Sequence, residues 1–211
     1  LPLGGVSFRL YFITGWIVAK DDIRKHGSGN IGATNVGRVL GAKWGLLVLF
    51  LDALKGLLPV WGLPRVVFAP DDPAFLHLQV ACGLATIIGH MFPCYLKFSG
   101  GKGVATALGV VLILGPWATL AAFGTFVVSI MGTRIVSLSS MLAAVVFGAV
   151  RIWNLRPAPF SAENWSLAAF SLFIPALIIL RHRANIGRLL RGEEQKFVSK
   201  KERERAQDDL S

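Results

Sequence analysis

"VATALGVVLILGPWATLAAFGTFVVSIM", residues 104–131, is the stretch that decides how often this chain crosses a membrane. As one straight helix it would run about 42 Å. That is well beyond the ~30 Å of a bilayer's hydrocarbon core. Gly115-Pro116 stands at its centre. Proline has no N–H to give a helix interior but suits a first helical position, and a Gly-Pro pair is a turn signal. The reading is therefore two crossings, 104–115 and 117–132, rather than one.

Outward from this break, apolar runs of similar length recur at 3–19, 44–62, 75–92, 138–152 and 165–180. The predicted fold is all-α: a polytopic integral membrane protein with seven transmembrane helices. Mean hydropathy of +0.59 and 54% hydrophobic residues support this over a soluble domain. No hydrophilic block is extended enough to fold alone. The predicted organisation is one membrane domain, 1–192, and a charged tail, 193–211. The first run contains Arg9 and does not read as a cleavable signal peptide.

A net charge of +10 would suit nucleic acid, but the positions of the charges argue against that partner. Most Lys and Arg lie in 20–43, 93–103, 133–137 and 181–211, with Arg65, Arg151 and Arg156 in the opposite loops. Such a bias sets membrane orientation. It predicts an outside N-terminus and a cytoplasmic C-terminus. It also favours the split at Gly115-Pro116, because merging the two runs would destroy the bias. Cys82 and Cys94 show neither zinc spacing nor a disulfide framework. No cluster of usual metal-ligand spacing is present, and no cofactor is expected.

All the glycine-rich polar segments fall on the predicted cytoplasmic side. The first is "HGSGNIGATNVGRVLG", residues 26–41. Gly27, Gly29 and Gly32 permit positive φ and close backbone approach, and successive N–H groups in such loops form anion-binding hollows. Ser28, Asn30, Thr34 and Asn35 add side-chain donors, and Arg38 adds a forked cation. A plain polar turn is the alternative, but it would need only two or three such residues.

The second segment is "GHMFPCYLKFSGGKGVATALG", residues 89–109. Gly100, Gly101, Lys102 and Gly103 lead into a helix, whose N-terminus favours anions. This is not a Walker A loop: Gly103 follows the lysine, and Leu96 stands where the first glycine belongs. A helix-breaking loop with a snorkelling lysine is the competing interpretation. In the third segment, "RHRANIGRLLRGEE" (181–194), His182 and Asn185 share a helix face, while the arginines suit anionic headgroups. Asp52 and Lys55, within the second run, are spaced to pair. A functional role and a structural lock fit them equally. His90 ends the third run.

In order and spacing, "DIRKHGSGNIGATNVGRVLG", "LDALKG", "GHMFPCYLKFSGGKGVATALG", "RIVSLSS" and "RHRANIGRLLRGEE" resemble the bacterial acyl-phosphate:glycerol-3-phosphate acyltransferases of the PlsY type. The similarity runs from about Asp22 to Glu194. It implies transfer of a fatty acyl group from acyl phosphate to the 1-hydroxyl of sn-glycerol 3-phosphate. The products would be lysophosphatidic acid and phosphate, made in the bacterial cytoplasmic (inner) membrane with the site on its cytoplasmic face. By this resemblance Ser28, Lys102 and His182 are catalytic. Asn30, Arg38 and Asn185 fall on the family's substrate-binding positions, and Gly100, Gly101 and Gly103 on its acyl-phosphate-binding loop; the glycine and donor pattern of the first segment adds Gly27, Gly29, Thr34 and Asn35 as substrate-binding candidates. The implied partners are the two substrates and membrane lipids. The family's Gly-Ser-Ile-Pro-like element has no counterpart in "GGVSFRLYFITGWIVAK".

The chemistry suits these residues. Acyl phosphate carries a good leaving group, so the demand is for cations and N–H donors to hold two phosphates and an oxyanion. His182 is the natural base by pKa, and a substrate phosphate oxygen is the alternative acceptor. The His-x₄-Asp dyad of another glycerol-phosphate acyltransferase type is absent. A transporter of phosphorylated solutes is the competing class. It predicts polar groups at the midplane of repeated halves, and the sequence has no internal repeat. A lipid-binding scaffold would explain the basic tail but not the glycine loops.

Overall fold

The computed structural model describes residues 23–197. The expected first span, 3–19, and the tail beyond Phe197 lie outside the described residues. Within them the chain is helical, with no strand. The order is α1 (Ala33–Val39), α2 (Ala42–Val67), α3 (Ala74–Met91), α4 (Val104–Leu114), α5 (Pro116–Thr133), α6 (Val136–Asn154), α7 (Trp165–Arg181) and α8 (Arg183–Leu190).

Helices α2, α3, α5 and α6 are long and apolar enough to cross a bilayer. Taken as one broken span, α7 and α8 make a fifth, bent by 59°. The run at 104–115 is a helix, α4, of only 11 residues. At about 17 Å it falls short of a full crossing. Its break from α5 is at Gly115, with Pro116 at the first helical position. Thr119 Oγ1 lies 2.7 Å from the Val111 carbonyl and 2.9 Å from that of Gly115, so its one proton bridges across the break to carbonyls that already accept the Gly115 and Thr119 N–H groups. Helix α2 continues past the expected end at residue 62 to Val67, carrying Pro59 and Pro64 within it.

Large apolar side chains such as Val66, Trp117, Val128 and Met131 are exposed. Such a surface suits hydrocarbon rather than water. Inside, Ile87, Met91, Val110, Phe170 and Ile174 form the main core. A satellite cluster of Ile23, Ile31, Val36 and Val48 pins the first polar segment beneath α2.

Helices α2 and α4 touch backbone to backbone. A Cβ on Gly56 would collide with the Thr106 carbonyl, and one on Gly109 with the Ala53 carbonyl. The helix that follows the glycine loop is thereby held directly against the helix that carries Asp52.

Candidate active site

The first polar segment is folded around one side chain. Asn35 is buried; its Oδ1 accepts the Ser28 N–H at 2.8 Å. Its Nδ2 donates to the carbonyls of Ile23 (3.3 Å) and His26 (3.1 Å). Gly27 has φ +59°, and a Cβ there would strike Asn35 Oδ1. Gly29 also turns at positive φ, whereas Gly32 has φ −72° and precedes α1. Asn30 Oδ1 accepts the Gly32 N–H at 2.7 Å. This scaffold aims Ser28, Asn30, Thr34 and Arg38 into a cavity of about 340 Å³. Gly27 and Gly29 shape the turn and do not line the cavity.

The second segment is clamped at both ends. The Gly100 and Gly101 N–H groups donate to Met91 O (3.1 Å) and His90 O (3.2 Å) at the end of α3. Their carbonyls each accept from Arg181 at 3.0 Å. The His90 ring packs where a Gly101 side chain would be. These two amides are therefore committed within the protein, and neither glycine lines the cavity. Lys102 and Gly103 do. Gly103 caps α4 at φ +79°, a left-handed conformation that suits glycine.

The third segment arrives at the bend. His182 is 2% exposed, and its Nδ1 lies 2.8 Å from the Ile178 carbonyl. A carbonyl only accepts, so Nδ1 carries the proton and Nε2 presents a lone pair. Burial, with the repulsion of Lys102, pushes the imidazole down to about 4. Asn185, also buried, accepts from Lys102 Nζ at 2.6 Å. Burial pushes the Lys102 ammonium down to about 8, against the attraction of Glu194 and with the repulsion of Arg188, Arg38 and Arg181.

Glu194 is a cavity residue that the sequence reading assigned to the tail. Its carboxylate accepts from Asn185 Nδ2 (2.6 Å), Ser137 Oγ (2.7 Å) and Arg188 Nε (2.7 Å). Burial raises this carboxyl, but those three donors outweigh it and hold it below the ordinary carboxylate range. Glu194 belongs to the non-helical segment 193–197 after α8, a strap that continues past it. Arg38 donates to Gln195 O at 3.3 Å, and the Phe197 N–H donates to Arg134 O at 2.6 Å. The available signal was the pair Glu193 and Glu194, one glycine after Arg191 in an arginine-rich segment.

Asp52 and His90 also line the cavity. Asp52 is buried, hydrogen-bonded to Lys55 as the i, i+3 spacing predicted, and 3.7 Å from His90 Nδ1. Away from these polar groups the cavity is apolar. It is walled by Ala107 and Val111 of α4, Ala122 and Phe123 of α5, and Ala144 and Phe147 of α6. A cationic, donor-rich head thus joins an oily arm. Among the described residues no group of His, Cys, Asp and Glu is arranged to hold a metal ion.

Residues 3–192 match the family described as "Glycerol-3-phosphate acyltransferase". The glycerol-3-phosphate acyltransferase of Syntrophotalea carbinolica is 44% identical over 93% of this chain and 91% of its own length. Glycerol-3-phosphate acyltransferase 2 of Bacillus anthracis is 43% identical over 93% and 94%. Among solved structures, PlsY (YgiH), an integral membrane glycerol 3-phosphate acyltransferase, superposes in its glycerol 3-phosphate form with TM-score 0.74 and 40% identity. That alignment covers 93% of this chain and 94% of the other. Its lysophosphatidic acid form gives 0.71 and 39%. Identity sustained at this level along nearly the whole chain, on a shared helical fold, places this membrane protein in the glycerol-3-phosphate acyltransferase family.

Proposed function

We propose that the chain transfers a fatty acyl group from acyl phosphate to the 1-hydroxyl of sn-glycerol 3-phosphate at the cytoplasmic face of a bacterial inner membrane. One observation carries this reading. Ser28, Lys102 and His182, from three segments far apart in sequence, line one cavity with a cationic head and an apolar arm. That shape suits a phosphorylated headgroup joined to a hydrocarbon tail. A transporter of phosphorylated solutes has no need of the oily arm.

In this reading Lys102, with Gly103 and the start of α4, holds the phosphoryl group of acyl phosphate. Arg38, Asn30 and Thr34 supply charge and donors to the second phosphate. Ser28 offers its hydroxyl to the oxygen of the attacked carbonyl, where negative charge gathers. His182, neutral and with Nε2 unprotonated, accepts a hydrogen bond from the glycerol hydroxyl and orients it. The hydroxyl oxygen bonds to the acyl carbon, and the bond from that carbon to the phosphate oxygen breaks. The proton ends on the departing phosphate, a better acceptor than an imidazole held near 4. Gly27, Gly29, Asn35, Gly100 and Gly101 act as framework for these groups, and Asn185 holds Lys102.

The charge bias supports seven spans with the N-terminus outside and the C-terminus cytoplasmic. The acyltransferase domain occupies 1–192. The tail from 193 contributes Glu194 before its remaining charges turn to solvent or lipid headgroups.

The test is reconstitution. Purified protein given acyl phosphate and glycerol 3-phosphate yields lysophosphatidic acid and phosphate in equal amounts. Acyl-CoA and acyl-acyl carrier protein, tried alongside, do not substitute. Transfer from acyl-CoA but not from acyl phosphate would overturn the donor assignment.

A further inference from the structure

Three ionisable or amide groups stand in a row across the polar head of the cavity. Glu194 Oε1 accepts from Asn185 Nδ2 at 2.6 Å, and Asn185 Oδ1 accepts from Lys102 Nζ at 2.6 Å. We propose that Glu194 is a positioning residue. It fixes the Asn185 amide so that its oxygen faces Lys102, and so keeps that lysine charged and aimed into the site. The inference rests on the proposed role of Lys102.

The argument is one of hydrogen-bond inventory. An ionised carboxylate only accepts, an ammonium only donates, and an amide has one end of each kind. Between Glu194 and Lys102 the amide has a single satisfied orientation. Two more donors, Ser137 Oγ and Arg188 Nε, hold the carboxylate itself. The phenotype of a lost member is then more than a missing contact. A neutral amide at 194 donates as well as accepts, so Asn185 can turn its nitrogen towards Lys102, setting donor against donor.

The charges around Lys102 point the same way. Arg38 from α1, Arg181 from the end of α7 and Arg188 from α8 all oppose its proton, and His182 beside it is neutral. Glu194, from the strap, is the carboxylate that favours it. Without Glu194, Lys102 gives up its proton at lower pH.

The experiment compares kcat/KM for acyl phosphate between pH 6 and 9 in the wild type and E194Q. This parameter reports ionisations of the free enzyme. The wild type loses activity on an alkaline limb near pH 8. In E194Q the limb moves lower, and each unit of movement costs about tenfold at a fixed alkaline pH. Activity therefore recovers towards wild type at pH 6 to 6.5. A purely structural Glu194 would lower activity equally at every pH, and an unmoved limb overturns the proposal.

Should E194Q not accumulate as folded protein, R188Q supplies an independent reading. It removes a cation opposing Lys102 and a partner that neutralises Glu194, so the limb moves upward. No movement in R188Q also overturns the proposal. Failure of the underlying reading looks different: K102A would retain turnover, or the wild type would show no alkaline limb.

Discussion

His182 Nδ1 and the Ile178 carbonyl lie 2.8 Å apart, one turn back along α7, and that contact fixes which imidazole nitrogen meets the cavity. A buried ring with a depressed pKa stays neutral at all pH values above about 5. In the proposed mechanism it is a hydrogen-bond acceptor rather than a proton store. His182→Ala should raise the glycerol 3-phosphate KM by about tenfold, the worth of one hydrogen bond in a buried site. Steady-state kinetics with glycerol 3-phosphate as the varied substrate checks this. A fall confined to kcat, with KM unchanged, would identify the ring as a base instead.

Lys102→Ala should reduce turnover by at least ~10²-fold, the usual effect of removing a group that stabilises transition-state charge. Its melting temperature in detergent should stay near the wild-type value, because Lys102 is partly exposed and its hydrogen bond is to a side chain. Near-normal turnover would reject the assignment of the loop.

The α2–α4 contact makes a stability prediction. Gly109→Ala puts a methyl group into the Ala53 carbonyl, a clash that only backbone movement relieves. Overpacking of this kind costs about 1–3 kcal/mol. In a domain of this size each kcal/mol lowers the melting temperature by about 2–4 °C. Gly124→Ala is the control, since nothing lies within 4 Å of a Cβ there. Equal melting temperatures for the two variants would show that the helices do not meet so closely.

The apolar arm runs beside α6 from Ser137 to Phe147, about 15 Å along the helix. Ala144 lies on its wall and buried Phe147 at its far end. With a mixture of acyl phosphates as donors, Ala144→Leu should shift the lysophosphatidic acid products towards shorter chains. Phe147→Ala should shift them towards longer ones. Mass spectrometry of the products decides, and an unaltered distribution would place the chain elsewhere.

Much of this fold is written locally. The Gly115-Pro116 break is audible in two residues, because one has no side chain and the other no N–H. The polar segments stand out because asparagine, arginine and glycine are dense where an apolar run ends. The extent of α4 was legible too: the run expected at 104–115 is a helix over Val104–Leu114, which starts where the chain leaves its left-handed turn at Gly103. The fate of the Gly100 and Gly101 amides was not legible at all. They pair with carbonyls that α3 leaves free at its end, a tertiary match that no spacing encodes. Glu194 escaped for a related reason. In a basic tail a glutamate looks solvated until Ser137, some sixty residues earlier, is brought beside it.

The strap that carries Gln195 and Phe197 has a bearing on how the protein is made. Arg38 meets Gln195, and Arg134 meets the Phe197 N–H. The ribosome must therefore release almost the last of the described residues before the earliest polar loop acquires its closing partner. Until then the helices α2 to α7 can already sit in the lipid while the cavity stands unfinished, so insertion of these helices precedes closure of the cavity's polar head.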